Sequence, residues 1–487
     1  MIKLKISTKQ KHEISPYLYM QFMEPVGVCD SSVDAAWDFI EHKWYDKVID
    51  KAKELAPTMV RFGGCFASYY HWMEGVGDRK SRIPMYNHVW GGYYSNQVGT
   101  HEIVDFCRQV NAEPLLVVNM ETEGLPTLHD PLTGSDRTGT AEEAAAWVDY
   151  CNNPDNALRL SHGVEKPYNL KYWQIGNETS YSVFGNLGFT SDECQAVTRR
   201  FAAAMREKDP SIRIIGWGDE TKYWEDPAGA VDKTWCKKMS QVDEVDIIAF
   251  HAAPALLENS PLGGLHYKED FESTWDHFMQ GYTGLRDLIA QMRADRGSKR
   301  LAITECHYAF PGNKNRGTSL STWAAGVSYA RCHNELMRNS DVLEIGTIAD
   351  FFGNIWQSNA LMIPTPVPLF EPYLMPVGAV MKLFGAHQGK YEVDVSCGGA
   401  LDVVASKTGS TYYLHVANTD MNAAQTLQLD LGSEKIKSAT MYYIATDPET
   451  EICPFNTHCF DSQEMKIEGD TVLLLAAAVA AIEIVTE

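Results

Sequence analysis

Residues 171–178 read KYWQIGNE, a short apolar run that ends in two polar side chains. The run KYWQI (171–175) is typical of a buried strand, and Asn177 and Glu178 follow where that strand ends. Seven further runs of this type occur in the first three-quarters of the chain: LYMQFM (18–23), TMVRF (58–62), LLVVN (115–119), RIIGW (213–217), DIIAF (246–250), LAIT (301–304) and EIGTIA (344–349).

Long amphipathic segments separate these runs, and their apolar residues stand three and four positions apart, as on one face of a helix. The segments are 34–55, 101–112, 141–151, 191–208, 270–294 and 321–338. Eight strands that alternate with helices predict an α/β fold, a closed (β/α)8 TIM barrel. An open doubly wound sheet that binds nucleotides would carry a glycine-rich turn after its first strand, whereas this chain has EPVG (24–27) there.

The pattern changes after about residue 385 to short alternating runs separated by turn-forming residues. The runs are LDVVAS (401–406), TYYLHVAN (411–418), ATMYYIAT (439–446) and VLLLAAAVAAIEIV (472–485). They predict a C-terminal antiparallel β-sandwich, and we expect the alternating segment MIKLKIS (1–7) to add a strand to it. The predicted domains are a barrel over residues 15–375 and a jelly-roll-like β-sandwich formed by residues 1–14 and 376–487.

The composition argues against two classes of partner. A net charge of −22 would repel a phosphate backbone, so we expect no nucleic-acid partner. No apolar stretch is long enough to cross a bilayer, which predicts no membrane partner. The opening MIKLKISTKQ lacks the apolar segment of a secretory signal, and the eleven dispersed cysteines include no C-x-x-C pair. We therefore expect reduced thiols and a cytoplasmic location.

Polar residues stand at the carboxyl ends of most predicted strands, which is where a (β/α)8 barrel forms its active site. In chain order they are Glu24, Arg61, Cys65, Asn119, Asn177, Glu178, His251, Glu305 and Asp350. Any one of them could be a surface or capping residue. Together they favour a polar pocket, because burying so many polar groups around one axis costs free energy unless they pair or bind a polar ligand.

Glu178 and Glu305 follow strands four and seven, which lie nearly opposite each other in an eight-stranded barrel. The two carboxyl groups are therefore expected to face each other across a central pocket. A retaining glycosidase needs such a pair about 5 to 5.5 Å apart, one protonated to assist the leaving group and one ionised to attack the anomeric carbon. The pair predicts a retaining glycoside hydrolase.

The motif WQIGNE (173–178) resembles the acid/base motif of clan A glycoside hydrolases, and ITE (303–305) lies where that clan has its nucleophile. Four longer stretches resemble family 51 of that clan, the α-L-arabinofuranosidases. They are LYMQFMEPVG (18–27), VRFGGCFASYYHWMEGVGDRKSRI (60–83), WGGYYSNQVGTHEIVDFCRQVNAEPLLVVNM (90–120) and the pattern YCN…SHGVEKPYNLKYWQIGNE (150–178). The resemblance covers about residues 15–370.

This resemblance implies a role for individual residues. Glu178 is expected to be the acid/base and Glu305 the nucleophile. The substrate-binding residues expected from the resemblance are Glu24, Arg61, Trp90, Asn177 and His251, and their positions after predicted strands add Cys65, Asn119 and Asp350 to the expected set. Among them, Asn177 would contact the sugar 2-hydroxyl, Glu24 would hold further hydroxyls, and Arg61 would keep the nucleophile ionised. The resemblance also implies a barrel followed by a β-sandwich, no cofactor, and a homo-oligomer, often a hexamer.

Several positions depart from the family pattern. Cys65 and Ala253 stand where an asparagine and a tyrosine are common, CHY (306–308) replaces Trp-Asn after the nucleophile, and Asp350 replaces a glutamine. Such changes affect the choice of sugar and linkage more than the reaction class, because losing a hydroxyl partner can change specificity by orders of magnitude.

The leading prediction is an exo-acting α-L-arabinofuranosidase that cleaves oligosaccharides by double displacement. One alternative keeps both glutamates but acts on another furanoside, a xyloside or a glucan. Another is a carbohydrate-binding protein that has lost catalysis. Cys65 and Cys306 beside His307 could also be read as a thiolate nucleophile or metal ligands, but buried thiols are the simpler interpretation, and we predict no metal site.

Overall fold

The computed structural model describes residues 1–125, 128–180, 188–219, 232–254, 266–308, 318–367 and 369–487. Its larger sheet has eleven strands, in the spatial order Leu343–Ile345, Arg300–Cys306, Ile247–Ala252, Arg213–Trp217, Tyr172–Ile175, Glu113–Val118, Met59–Phe62, Met20–Met23, Asp350–Gly353, Asn359–Met362 and Tyr373–Leu374. All neighbouring pairs are parallel except the last, which is antiparallel.

This sheet closes on itself. Tyr17 forms a parallel bridge with Ile345. The backbone N–H of Gly346 donates to the Tyr17 carbonyl at 3.0 Å, and that of Met20 donates to the Gly346 carbonyl at 3.0 Å. Strand eight therefore meets strand one, and the predicted (β/α)8 barrel is confirmed.

The helices of the described residues are Ser32–Ala35, Asp46–Leu55, Thr100–Val110, Ala141–Asn152, Ala157–Ser161, Ser191–Lys208, Trp235–Met239, Phe271–Gln280, Tyr282–Asp295, Trp323–Arg338 and Pro376–Ala386. The longer ones bury one apolar face against the barrel, as the three- and four-residue spacing predicts. None of the helices in the described part of the chain has the length and apolar character needed to cross a bilayer.

The predicted helix over 34–55 is wrong in its first half. The two-residue strands Trp37–Asp38 and Lys43–Trp44 form a hairpin there, and the helix begins only at Asp46. Trp37 and Trp44 pack edge to face at 5.2 Å, and both are buried. The Asp38 carboxylate accepts hydrogen bonds from two turn N–H groups, which stabilises the hairpin turn instead of a helix.

The predicted eighth strand over 344–349 is interrupted. Leu343–Ile345 pairs with strand seven, and Asp350–Gly353 pairs with strand one. Between them, the Thr347 hydroxyl donates to the Ala349 carbonyl at 3.0 Å. This local bond competes with the ladder and explains the interruption.

The second sheet has nine strands, in the order Gln463–Ile467, Ile436–Ile444, Val479–Thr486, Thr411–Asn418, Leu401–Thr408, Tyr391–Ser396, Ile2–Glu13, Gln425–Asp430 and Thr471–Leu474. It encloses its own apolar core, and the barrel followed by a sandwich agrees with the predicted fold class. The N-terminal strand pairs with Tyr391–Ser396 and Gln425–Asp430. Helix Pro376–Ala386, which the predicted boundary at 375 assigns to the sandwich, buries Val377 and Phe384 in the larger core.

Candidate active site

The carboxyl ends of the parallel strands bring the predicted polar residues to one end of the barrel. Glu24 directly follows strand one, Arg61 lies in strand two, Glu178 follows strand four, and His251 and Glu305 lie near the ends of strands six and seven. A β-bulge places the last two side by side: Phe250 pairs with Ile303, but His251 pairs with Glu305. Bulges of this kind re-aim side chains at the rim of a barrel.

Glu178, His251 and Glu305 converge at the centre of the site. One carboxylate oxygen of each glutamate and one ring nitrogen of His251 all lie within 4.8 Å of one another. No other group of metal-ligating side chains converges in this way within the described ranges. Cys65, Cys306 and His307 thus do not form such a cluster there, and the absence of a metal remains a prediction.

Arg61 is completely buried beside these groups and donates a hydrogen bond from each of its three guanidinium nitrogens. Its Nη1 donates to Glu305 Oε1 at 2.8 Å, Nη2 to Asn177 Oδ1 at 2.6 Å, and Nε to Gln174 Oε1 at 3.0 Å. The planar fork of arginine suits three fixed acceptors of this kind better than a lysine ammonium would. Arg61 therefore places a positive charge against Glu305 and fixes the Asn177 side chain at the same time.

Asn177 is buried, and its amide has one free end. Because its oxygen accepts from Arg61, the amide nitrogen points the other way, and this atom has no hydrogen-bond partner among the described residues. A buried donor without a partner is costly, so its persistence indicates a ligand that accepts from it.

The surroundings of Glu178 favour the protonated form of its carboxyl. Its backbone φ is +54°, in the left-handed region. Burial raises the pKa of Glu178 to about 7, and the hydrogen bond from Cys65 and the charges of Arg61 and His307 limit the rise. The carboxyl therefore holds a proton up to neutral pH.

His251 connects both glutamates. Its Nδ1 is 2.9 Å from Glu178 Oε1, and its Nε2 is 3.0 Å from Thr304 Oγ1 and 3.7 Å from Glu305 Oε1. Burial lowers the pKa of His251 to about 4, so the ring is neutral at the pH where Glu178 titrates. Its edge-to-face contact with Trp217, at 4.6 Å, fixes the ring plane.

Glu24 lines the pocket beside this centre. The Trp90 indole N–H donates to Glu24 Oε1 at 2.9 Å, and the Phe66 N–H approaches the same oxygen at 3.4 Å. Burial and the nearby Glu305 carboxylate raise the pKa of Glu24 well above its ordinary value. Gly64 packs against the Glu24 carboxyl, and a Cβ there would lie 2.2 Å from the Glu24 Cδ.

Cys65 contacts the acid directly, with its Sγ 3.5 Å from Glu178 Oε2. Burial and the surrounding carboxylates raise the pKa of the Cys65 thiol well above its ordinary value. The residue is therefore a neutral thiol that donates to Glu178, which argues against a thiolate nucleophile.

Asn119 and Asp350 have other contacts. The Asn119 amide donates to the Arg137 carbonyl at 2.8 Å and accepts from the Thr122 N–H at 3.1 Å, so it holds the loop that follows strand three. Asp350 accepts from the Ser358 hydroxyl and lies 3.9 Å from the His307 ring.

The sequence analysis did not identify Glu123, Gln174, Thr304 or Trp356, which also surround the site. Gln174 and Thr304 lie inside predicted strands, and polar residues within a buried run were a usable signal. Trp356 packs edge to face on Trp90 at 5.3 Å, a contact between distant parts of the chain that no local pattern marks.

Comparison with known proteins gives a consistent result. Residues 51–257 match the family model described as the alpha-L-arabinofuranosidase 1 domain. The chain is 34% identical over 216 residues to alpha-L-arabinofuranosidase C of Emericella nidulans, a match that covers 43% of this chain and 40% of that one. The resemblance to the α-L-arabinofuranosidases is confirmed.

Two further arabinofuranosidases extend the comparison. The intracellular exo-alpha-(1->5)-L-arabinofuranosidase of Acetivibrio thermocellus is 28% identical over 316 residues, which covers 62% of this chain and 57% of that one. The chain thus matches less than two thirds of the length of these curated relatives. The crystal structure of alpha-L-arabinofuranosidase from Thermotoga maritima in an arabinose complex superposes over 100% of both chains, with a TM-score of 0.79 and 22% identity.

Proposed function

We propose that this chain is a retaining glycoside hydrolase that releases terminal α-L-arabinofuranosyl residues from oligosaccharides. One observation carries the proposal: a carboxylate oxygen of Glu178 and one of Glu305 lie within 4.8 Å of each other. At this separation, one carboxylate can attack the anomeric carbon directly while the other carboxyl protonates the leaving oxygen. Inverting enzymes keep their two carboxyls about 6.5 to 9.5 Å apart, to leave room for a water molecule.

In the first step, a Glu305 oxygen attacks the anomeric carbon while the bond to the leaving oxygen breaks. The proton held on Glu178 moves to that oxygen, so the aglycone leaves as a neutral alcohol. The positive charge of Arg61 lies against the attacking Glu305 carboxylate, with Nη1 2.8 Å from Oε1. The product of this step is a glycosyl ester of Glu305.

In the second step, Glu178 is ionised and takes a proton from an incoming water. The water oxygen bonds to the anomeric carbon, and the bond to Glu305 breaks, which restores both carboxyls. Neutral His251 holds the Glu178 oxygen throughout and adds no positive charge that would oppose proton release.

The sugar contacts follow from the groups around this pair. The free Asn177 amide N–H is available to donate to a sugar hydroxyl. Glu24, held by the Trp90 indole N–H, provides an acceptor for further sugar hydroxyls. Asn119 is committed to backbone partners, and we infer that it supports the loop after strand three instead of touching the sugar. The proposed chemistry uses no metal and no organic cofactor.

The arabinofuranosyl specificity is supported by the names of the relatives, one of which is an exo-α-(1→5) enzyme. The name of that relative also includes the word intracellular, so we extend the proposal to a cytoplasmic enzyme. We further propose that the enzyme is a homo-oligomer. Light scattering on the purified chain tests the oligomer.

Hydrolysis of 4-nitrophenyl α-L-arabinofuranoside tests the activity. The wild-type chain is expected to cleave it and to release arabinose first in the α configuration, as seen by NMR. Glu305→Ala is expected to abolish turnover, while Glu121→Gln, which changes a carboxylate outside the pocket, is expected to leave it unchanged. Normal turnover by Glu305→Ala would overturn the mechanism.

A panel of chromogenic furanosides, xylosides and glucosides separates the proposed substrate from the alternatives. Faster cleavage of a pyranoside would show that the chain uses the same two glutamates on another class of substrate. Binding of arabino-oligosaccharide without cleavage at any pH would indicate a carbohydrate-binding protein.

A further inference from the structure

Glu123 lies in an unusual turn directly after strand three. Glu121, Thr122 and Glu123 have positive φ angles of 53°, 48° and 57°, and Gly124 continues the turn at 79°. Residues other than glycine rarely adopt this left-handed conformation, and a run of three persists only where the surroundings enforce it. Such strain is commonly found at functional sites.

Glu123 is buried, and its side chain and backbone carbonyl contact three other segments of the barrel rim. Its Oε1 accepts from the Ser68 hydroxyl at 2.5 Å, in the loop after strand two. The same oxygen accepts from the backbone N–H of Asn177 at 3.1 Å, directly before Glu178. The Glu123 carbonyl accepts from the Phe189 N–H at 3.1 Å, ahead of the helix Ser191–Lys208.

The peptide that presents Glu178 is thus held from two sides. Glu123 holds its backbone through the Asn177 N–H, and Arg61 holds the Asn177 side chain. Glu178 itself has a left-handed φ of +54°, a conformation that needs support of this kind.

We propose that Glu123 is a positioning residue that fixes the Asn177–Glu178 peptide and thereby aims the acid/base carboxyl at the leaving-group oxygen. This inference rests on the proposed function, because it assumes that Glu178 is the acid/base. Glu123 does not touch the substrate in this proposal and acts only through Asn177 and Glu178.

The charge state of Glu123 agrees with that role. Burial and the neighbouring Glu178 raise the pKa of Glu123 to about 8, whereas its hydrogen bonds from Ser68 and Asn177 act in the opposite direction. At neutral pH the carboxyl is therefore mostly neutral and adds little negative charge beside Glu178.

The chain supplies a matched control in the same turn. Glu121 also has a left-handed φ, but its carboxylate pairs with Arg200, and the two side chains are 32% and 54% exposed. Glu121→Gln changes a carboxyl of the same turn without touching the Asn177 N–H.

The test compares aryl α-L-arabinofuranosides that differ in their need for acid assistance. A 2,4-dinitrophenyl group leaves without a proton, whereas a 4-methoxyphenyl group requires one. We expect Glu123→Leu to lower kcat/KM about tenfold or more for the 4-methoxyphenyl substrate, because a displaced acid loses part of a contribution worth about 10²- to 10⁴-fold. For the 2,4-dinitrophenyl substrate the loss is expected to be under twofold. Glu123→Gln, whose amide oxygen can accept both bonds, is expected to stay within about threefold of wild type on both.

Ser68→Ala provides a second, milder variant that removes one of the two bonds holding the Glu123 carboxyl. It is expected to produce a smaller loss with the same preference for the poor leaving group, and it decides the question if Glu123→Leu does not fold. Equal losses on both substrates, or no loss on either, would overturn the positioning role.

Glu178→Ala separates this inference from the proposed function. One outcome is that Glu178→Ala shows the selective loss and azide restores its turnover, whereas the Glu123 and Ser68 variants show no selective loss. In that case only the role of Glu123 fails. If the wild-type chain cleaves no arabinofuranoside, or Glu178→Ala shows no selective loss, the proposed function fails first.

Discussion

At the scale of single residues, the site depends on two glutamates with different surroundings. Glu305 faces the Arg61 guanidinium at 2.8 Å, whereas Glu178 is largely buried and contacts the Cys65 thiol and the neutral His251 ring. A fixed cation favours the ionised form of a carboxyl, and burial favours the protonated form. The same side chain can thus serve as nucleophile at one position and as acid at the other.

The raised pKa of Glu178 leads to a prediction about pH. Glu178 must be protonated for the first step, so kcat/KM is expected to fall about tenfold per pH unit above about pH 7. Cys65→Ala removes a donor that stabilises the ionised form and should move this alkaline limb to higher pH. The measurement is kcat/KM for 4-methoxyphenyl α-L-arabinofuranoside across the pH range.

Cys107→Ala is the matched control, because Cys107 is another buried thiol but lies in the helix Thr100–Val110. Its alkaline limb should stay where the wild-type limb lies. An unchanged limb in Cys65→Ala would contradict the assigned role of the thiol.

At the scale of elements, the rim of the barrel sets the geometry of the pocket. The bulge at Thr304 puts His251 opposite Glu305, and the backbone at Gly64 leaves room for Glu24. Neither feature can be predicted from the strand pattern. Alternation shows which residues are in a strand, but a bulge or a close backbone approach depends on what the neighbouring strand presents.

Gly64→Ala tests this packing. Gly64 has a φ of +136°, and the new Cβ would overlap the Glu24 carboxyl. We expect Glu24 to be displaced and kcat/KM on the aryl arabinofuranoside to fall at least tenfold, together with a loss of about 1–3 kcal/mol in the free energy of unfolding. Steady-state kinetics and chemical denaturation measure the two effects.

Gly134→Ala separates backbone strain from steric overlap. Gly134 also has a positive φ, of 71°, but nothing lies within 4 Å of its added Cβ. This variant should lose some stability through strain alone and keep its activity. If Gly64→Ala behaves like Gly134→Ala, the packing of Glu24 against Gly64 does not matter for catalysis.

At the scale of the whole molecule, a buried ionic cluster joins the barrel to the sandwich. Asp402, on the sandwich strand Leu401–Thr408, accepts from Asn334 at 2.9 Å and from Arg331 at 3.2 Å, and Arg338 also donates to it. All three donors lie on the helix Trp323–Arg338, so one buried carboxylate holds this helix against the second sheet.

Asp402→Ala is expected to destabilise the protein by about 3 kcal/mol, because it removes a carboxylate partner of Arg331 and one of the two carboxylate partners of Arg338 near a buried interface. Denaturant titration measures the loss. Asp430→Ala, which removes a surface partner of Lys3 and an exposed hydrogen bond from the Gly432 N–H, should change the free energy of unfolding little. Equal stability of the two variants would show that the interface does not depend on this cluster.

The sequence by itself determined the order of the barrel strands and marked Glu178 and Glu305 as candidates. Both depend on local chemistry: apolar runs form strands, and polar residues at their carboxyl ends converge because parallel strands share one direction. The resemblance of WQIGNE and ITE to known motifs pointed to the same two residues.

Only the tertiary structure decided which polar residues share the site and which support it. Asn119 stands at a strand end like Asn177, yet its amide bonds to backbone groups of the loops that follow strands two and three. Glu123 has no sequence signal, but its carboxyl holds the peptide before Glu178. The physical reason is that a side chain's role is set by the partners that reach it, and here those partners come from loops far apart in the chain.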